Sequence, residues 1–173
     1  MAKPSKRDAI LEKLATFVLA EGLDAATLRA MAKAAGQSDR MLLYYFDDKD
    51  DIIAAVLGVL AAQLTDILSA NSVPEKLNKE ALHGQLDQVV LADAVWPYLR
   101  LWLDLAARAA RNDPHLAAVG QTLGQGFHGW IENQLSTTDP DLRRKEATEI
   151  MIGLEGVIVL RAVGMDALVR ELL

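Results

Sequence analysis

The chain has 173 residues, half of them apolar, no cysteine and a formal net charge of −6. That supplies a hydrophobic core for one domain, or for one small module on a larger one. The missing thiols exclude disulfides and thiolate metal sites and suit a reducing compartment. Alanine and leucine are abundant, aromatics are few, and no stretch alternates in the manner of strands, so an all-α fold is expected. The polar N-terminus carries no signal-peptide pattern. The most apolar stretch, Ile150 to Gly164, is interrupted by Glu155 and Arg161 and is too short to span a bilayer. The expectation is a soluble cytoplasmic protein.

The charge is unevenly divided. Residues 1–46 carry seven basic and five acidic side chains, a net of +2, and the remainder carries eleven basic and nineteen acidic, a net of −8. A basic head on an acidic body turns its head towards polyanions.

A first helix is expected over about 6–21, with Leu11, Leu14, Ala15 and Val18 at helical spacing and Gly22 as its C-cap. Thr27 caps a second, in which Leu28, Met31, Ala32 and Ala35 form one face and Gly36 ends the helix. Ser38 caps a third, about 39–46, with Asp39 in its first turn. Two short helices joined by a Gly-containing turn make a helix-turn-helix, whose second helix fits a DNA major groove. Asp47 or Asp48 starts a fourth, long helix with an apolar stripe from Ile53 to Leu68, closed by Asn71-Ser-Val-Pro74.

The rest reads as further helices: one over Glu75 to Val90, one from Trp96-Pro97 to Arg111, and one from Asp113-Pro114 to about Leu135. A last long helix runs over about 141–163, followed by a short one between Met165 and Leu172. The segment Gly124-Gln-Gly126-Phe-His-Gly129 matches G-x-G-x-x-G, but no strand precedes it and a helical stripe runs through it, so dinucleotide binding is rejected. His83, His115 and His128 lack ligand spacing, so neither a metal site nor a cofactor is expected. No nucleophile, base and orienting group come together, so no catalytic residue is assigned.

The series Thr27-x3-Met31-Ala32-x2-Ala35-Gly36-x-Ser38-x3-Leu42-x2-Tyr45-Phe46-x2-Lys49-x2-Ile52 resembles the N-terminal signature of the TetR family of bacterial transcription regulators. The resemblance implies a DNA-binding domain over 1–46 and a helical ligand-binding and dimerisation domain over 47–173. It also implies a homodimer that binds a palindromic double-stranded operator, acts as a repressor, and releases DNA when a small-molecule effector changes the spacing of the two heads. Lys49 resembles the family's phosphate-binding lysine, and Arg29 a position that reaches a base or the backbone. Departures are Gln37, where a small apolar residue is usual, Arg40, where a small residue is common, and Leu43, which replaces a common Tyr.

Ser38, Asp39, Arg40 and Met41 stand at the end of the third helix that meets base edges. Arg40 is the candidate guanine reader, Thr27 donates to phosphate while capping, Tyr44 or Tyr45 offers a hydroxyl to phosphate, and Phe46 packs inside. Lys3, Lys6 and Arg7 add electrostatic attraction. In the body, Trp96, Trp102, Phe127, Trp130 and Met151 are candidates for an effector pocket. Glu155 either pairs with Arg100, Arg108 or Arg161 or faces a cationic effector. The dimer interface is expected on the last two long helices, at Ala147, Ile150, Leu154, Val157, Ile158 and Val163, with Gly153 and Gly156 permitting close approach. The alternative reading is a helical ligand-binding or scaffold protein with a relic DNA-binding head, and an all-α enzyme ranks below it.

Overall fold

The computed structural model describes residues 5–70 and 75–172. Lys3 and the expected helix closure at 71–74 lie outside them. Among the described residues every regular element is helical: α1 (Lys6–Glu21), α2 (Leu28–Ala35), α3 (Asp39–Tyr45), α4 (Lys49–Ala70), α5 (Lys79–Val90), α6 (Trp96–Ala110), α7 (Pro114–Gln134), α8 (Pro140–Ala162) and α9 (Asp166–Leu172). The G-x-G-x-x-G segment lies wholly inside α7.

The helix starts follow their caps. Ser5 and Asp8 form a reciprocal capping box on α1, with both bonds at 3.0–3.1 Å. Thr27 Oγ1 accepts from the Ala30 amide at 3.2 Å and Ser38 Oγ from the Met41 amide at 3.2 Å. For α4 the cap is Asp48, whose Oδ1 accepts from the Asp51 amide at 2.8 Å. Gly36, left-handed at φ 67° and ψ 37°, ends α2. The Gln37 amide then returns to the Ala32 carbonyl, the six-to-one bond of a Schellman turn.

Two boundaries differ from expectation. Phe46 is extended (φ −138°) and turns its ring into the interior, so α3 stops at Tyr45. The fifth helix starts at Lys79, capped by Asn78, and not at Glu75. Leu77 spends its backbone groups elsewhere: its amide bonds the Gln134 carbonyl at 2.9 Å and its carbonyl accepts from Ser136 at 2.7 Å, an isolated parallel bridge.

The chain divides into two compact units. One holds the chain through Gln63 together with Asp104–Gly120, and the other holds Leu64–Leu103 with Gln121 onwards. The first half of α4 therefore packs with the head. In the first unit Leu14, Met31, Leu42 and Ile52 are fully buried, and Arg108 bridges Asp104 and Asp24. By length and apolar composition α4 could cross a membrane. Its Ile52, Val56, Leu57 and Leu60 are instead buried in the protein.

The second unit has a core of Leu82, Leu86, Val90, Leu99, Ile131, Leu135, Ile150 and Leu154, among others. Arg161 locks the end of α5, donating to the Val90 and Ala92 carbonyls at 2.8 and 3.1 Å and to Asp93 at 2.8 Å. Its guanidinium also lies 4.5 Å from the centroid of the Trp96 ring.

Candidate nucleic-acid interface and effector site

Sequence spacing alone decides how α3 presents itself. Leu42 is buried, and Met41, Tyr45 and Phe46 are drawn in beside it, leaving Asp39, Arg40, Leu43 and Tyr44 on the outer face. These four sit at i, i+1, i+4 and i+5, one side of a helix. The Ser38 cap holds the first turn, and the end of the helix is held by Arg7. Its Nε donates to the Tyr45 carbonyl at 3.4 Å and its guanidinium lies 4.6 Å from the centroid of the Phe46 ring. Arg7, expected to add charge to an N-terminal arm, thus also positions α3. Lys13 supports α2 in the same way, its Nζ 3.4 Å from the Ala35 carbonyl.

Thr27, Arg29, Lys33, Gln37 and Asp39 line a shallow, open depression beside the turn. Arg29, Arg40 and Lys49 are exposed and form no ion pair among the described residues, Lys49 despite the aspartates around it. Tyr44 stands outermost and meets Tyr45 edge to face, with ring centroids 5.1 Å apart. The head therefore brings unpaired cations, one tyrosine hydroxyl and a short capped helix to its surface, the chemistry that meets phosphates and base edges.

In the second unit Trp102, Gly124, Met151 and Glu155 come together. Trp102 Nε1 donates to both Glu155 oxygens at 2.9 and 3.0 Å. A Cβ on Gly124 would lie 3.6 Å from Met151 Cε and 3.9 Å from the Trp102 ring. Among the described residues of the chain no arginine pairs with Glu155. Arg161 is committed to α5, Arg108 to Asp104 and Asp24, and Arg100 is exposed. Burial pushes the Glu155 carboxyl above its usual range, opposed only by the indole hydrogen bond. Phe127 and Trp130 stack at 5.8 Å with planes 9° apart, and Trp130 Nε1 donates to Ser69. Trp96 lies under Arg161.

The expected dimer residues need correction. Ile150, Leu154 and Ile158 are buried in the core of their own chain, and Val157 is half-buried against it, so none offers a free surface. The outward apolar stripe of α8 shares only Gly156 and Val163 with that expectation: it is Ile152 (67% exposed), Gly156, Val159 (49%) and, at the C-cap, Val163 (65%). Gly153 makes its close approach within the chain, its Cβ position being 2.5 Å from His83 Nε2.

One buried acid escaped the sequence reading. Asp87, on α5, is 5% exposed, and its Oδ1 has no hydrogen-bond partner among the described residues. His83 Nε2, one turn earlier, lies 3.7 Å from it. The signal was the His-x3-Asp spacing beside the stripe Leu82, Leu86 and Val90. Burial pushes the Asp87 carboxyl upward, with His83 pulling the other way.

A short capped recognition helix in a three-helix head, attached to a larger helical body, defines a helix-turn-helix DNA-binding regulator. Residues 10–56 match the family model of the tetR family of bacterial regulatory proteins. Over its head the chain is therefore similar to the TetR family. It is 28% identical over 156 residues to the transcriptional regulator PksA of Bacillus subtilis, covering 86% of this chain and 76% of that one. A putative TetR-family regulator from Rhodococcus shares the fold at a TM-score of 0.74 and 18% identity, over 92% of this chain and 88% of that one. The multidrug binding protein EbrR, solved with imidazole, has a TM-score of 0.67 and 23% identity, over 95% and 82% of the two chains.

A raised carboxyl pKa means that the charged form is disfavoured by folding. Asp87→Asn therefore gains nothing over wild type below the unfolded carboxylate value of about 4. Its relative stability should rise as pH increases through the folded pKa and then level off. Thermal melts between pH 4 and 7 check this; an advantage that shrinks with pH would contradict it.

Proposed function

We propose that the chain is a homodimeric repressor whose two heads occupy the half-sites of a palindromic operator and leave it when a small molecule binds the helical body. The observation that carries the DNA half of this reading is the outer face of α3, where unpaired Arg40 stands in the first turn behind the Ser38 cap. A guanidinium there suits bidentate contact with guanine O6 and N7. Thr27, Ser38, Tyr44, Tyr45, Lys49 and Arg29 supply phosphate contacts around it, and Asp39 and Met41 share the base-edge end of the helix.

Dimerisation is supported by the outward stripe of α8, since Ile152, Val159 and Val163 leave an apolar face uncovered and Gly156 lets a second backbone come close. A paired body would hold two recognition helices about one DNA turn, 34–36 Å, apart. Repression then follows from occupancy, because a bound dimer obstructs the same DNA to other proteins. The location is the cytoplasm, where that DNA lies.

The effector site is supported by the cluster of Trp102, Gly124, Met151 and Glu155, flanked by Phe127, Trp130 and Trp96. Among the described residues the partner of Glu155 is a neutral donor, which favours a positively charged effector whose charge would offset the cost of its burial. Release requires that the effector favour the conformation whose heads no longer match the operator.

Two experiments test this reading. In gel shifts with DNA flanking its own gene, Arg40→Ala should lose about 1–3 kcal/mol of discrimination, roughly 5- to 150-fold, on the specific site. Binding to random DNA should barely change, and equal losses on both would count against a base contact. For the effector, proflavin as a planar cation should release operator from wild type but not from Glu155→Gln, which keeps the acceptor for Trp102. Equal release from both proteins, or none from wild type, would sink a cationic effector at Glu155.

A further inference from the structure

Leu43 is out of place for a residue on a DNA-reading face. It is 45% exposed on the outer side of α3, one turn beyond Arg40, and has no polar atom to offer a phosphate or a base edge. Its neighbour Tyr44, 77% exposed, keeps a hydroxyl for the backbone. The interior beside the helix is filled by Leu42 and Phe46, while Leu43 keeps nearly half of its surface open to solvent.

The major groove presents hydrogen-bonding groups on every base pair but only one apolar group, the C5-methyl of thymine. From the outward leucine on this helix we infer that Leu43 is a specificity-determining residue that packs on a thymine methyl in each half-site. Three residues of helix advance about 4.5 Å along its axis, and base pairs stack about 3.4 Å apart. The thymine therefore lies one or two base pairs from the base that Arg40 reads. This assignment rests on α3 entering the major groove, as argued above, and adds the chemical identity of one operator position. A polar residue at 43 would add a backbone contact common to all sequences. Leucine instead ties affinity to a methyl group that three of the four bases lack.

The test uses the full-length protein and a duplex selected by it from a random pool. Each thymine of the selected half-site is replaced in turn by deoxyuridine, which removes the methyl and nothing else. One position should weaken wild-type binding about fourfold per half-site, the value of one buried methyl. Leu43→Ala should bind the thymine and uracil versions equally at that position, with a cooperative melt showing that the head stays folded. If no deoxyuridine weakens the wild type while it still prefers the selected duplex, Leu43 is not a reader and sequence-specific DNA binding stands. A loss that persists undiminished in Leu43→Ala assigns the methyl to another side chain and also overturns the inference. Recovery of no preferred duplex would overturn both readings together.

Discussion

Burial of Leu42 fixes the rotation of a helix only seven residues long, and the DNA face depends on that rotation. With Leu42 and Phe46 turned inward, residues 39, 40, 43 and 44 have no freedom but to face outward. A rotation of 100°, one residue, would bring Met41 and Tyr45 to the surface and take Asp39 and Leu43 towards the core. The isolated helix is far too short to hold itself together. Its order comes from the Ser38 cap, the buried pair, and the bond from Arg7 to the Tyr45 carbonyl. The Gly36 turn sets where the helix begins, since its left-handed backbone is one that glycine adopts without strain.

The body rests on a different device, a helix with two apolar faces. One side of α8 carries Ala147, Ile150, Leu154 and Ile158 into the core of its own unit. The other carries Ile152, Gly156 and Val159 outward, with Val163 beyond. Hydropathy sums the two faces and cannot say which is covered. Glu155 lies between them, half-buried and held by an indole N–H, a donor that satisfies hydrogen bonding without neutralising charge. That distinction separates it from Asp87, whose Oδ1 lacks even a neutral donor among the described residues.

The head was legible almost to the residue because its signals are local. A cap, a left-handed glycine and an apolar triplet each act within one turn of chain, and Thr27, Gly36 and Ser38 do what their residue types dictate. The body was less legible because its decisive facts are pairings between distant positions. Nothing near Glu155 in sequence announces Trp102, fifty-three residues away, and electrostatics alone favoured an arginine. The buried set Ile150, Leu154 and Ile158 was read as an outer surface for a similar reason, since a stripe tells the period of a helix but not which partner covers it. The late start of α5 had the same cause: Leu77 forms backbone bonds with the end of α7, which no local propensity could reveal.

Everything proposed for DNA recognition requires two copies of the recognition helix on one duplex. Native mass spectrometry of the purified protein mixed with its selected duplex measures this directly. The account predicts a dimer in free solution and a complex of two chains per duplex. A single subunit that leaves the duplex unbound would contradict it.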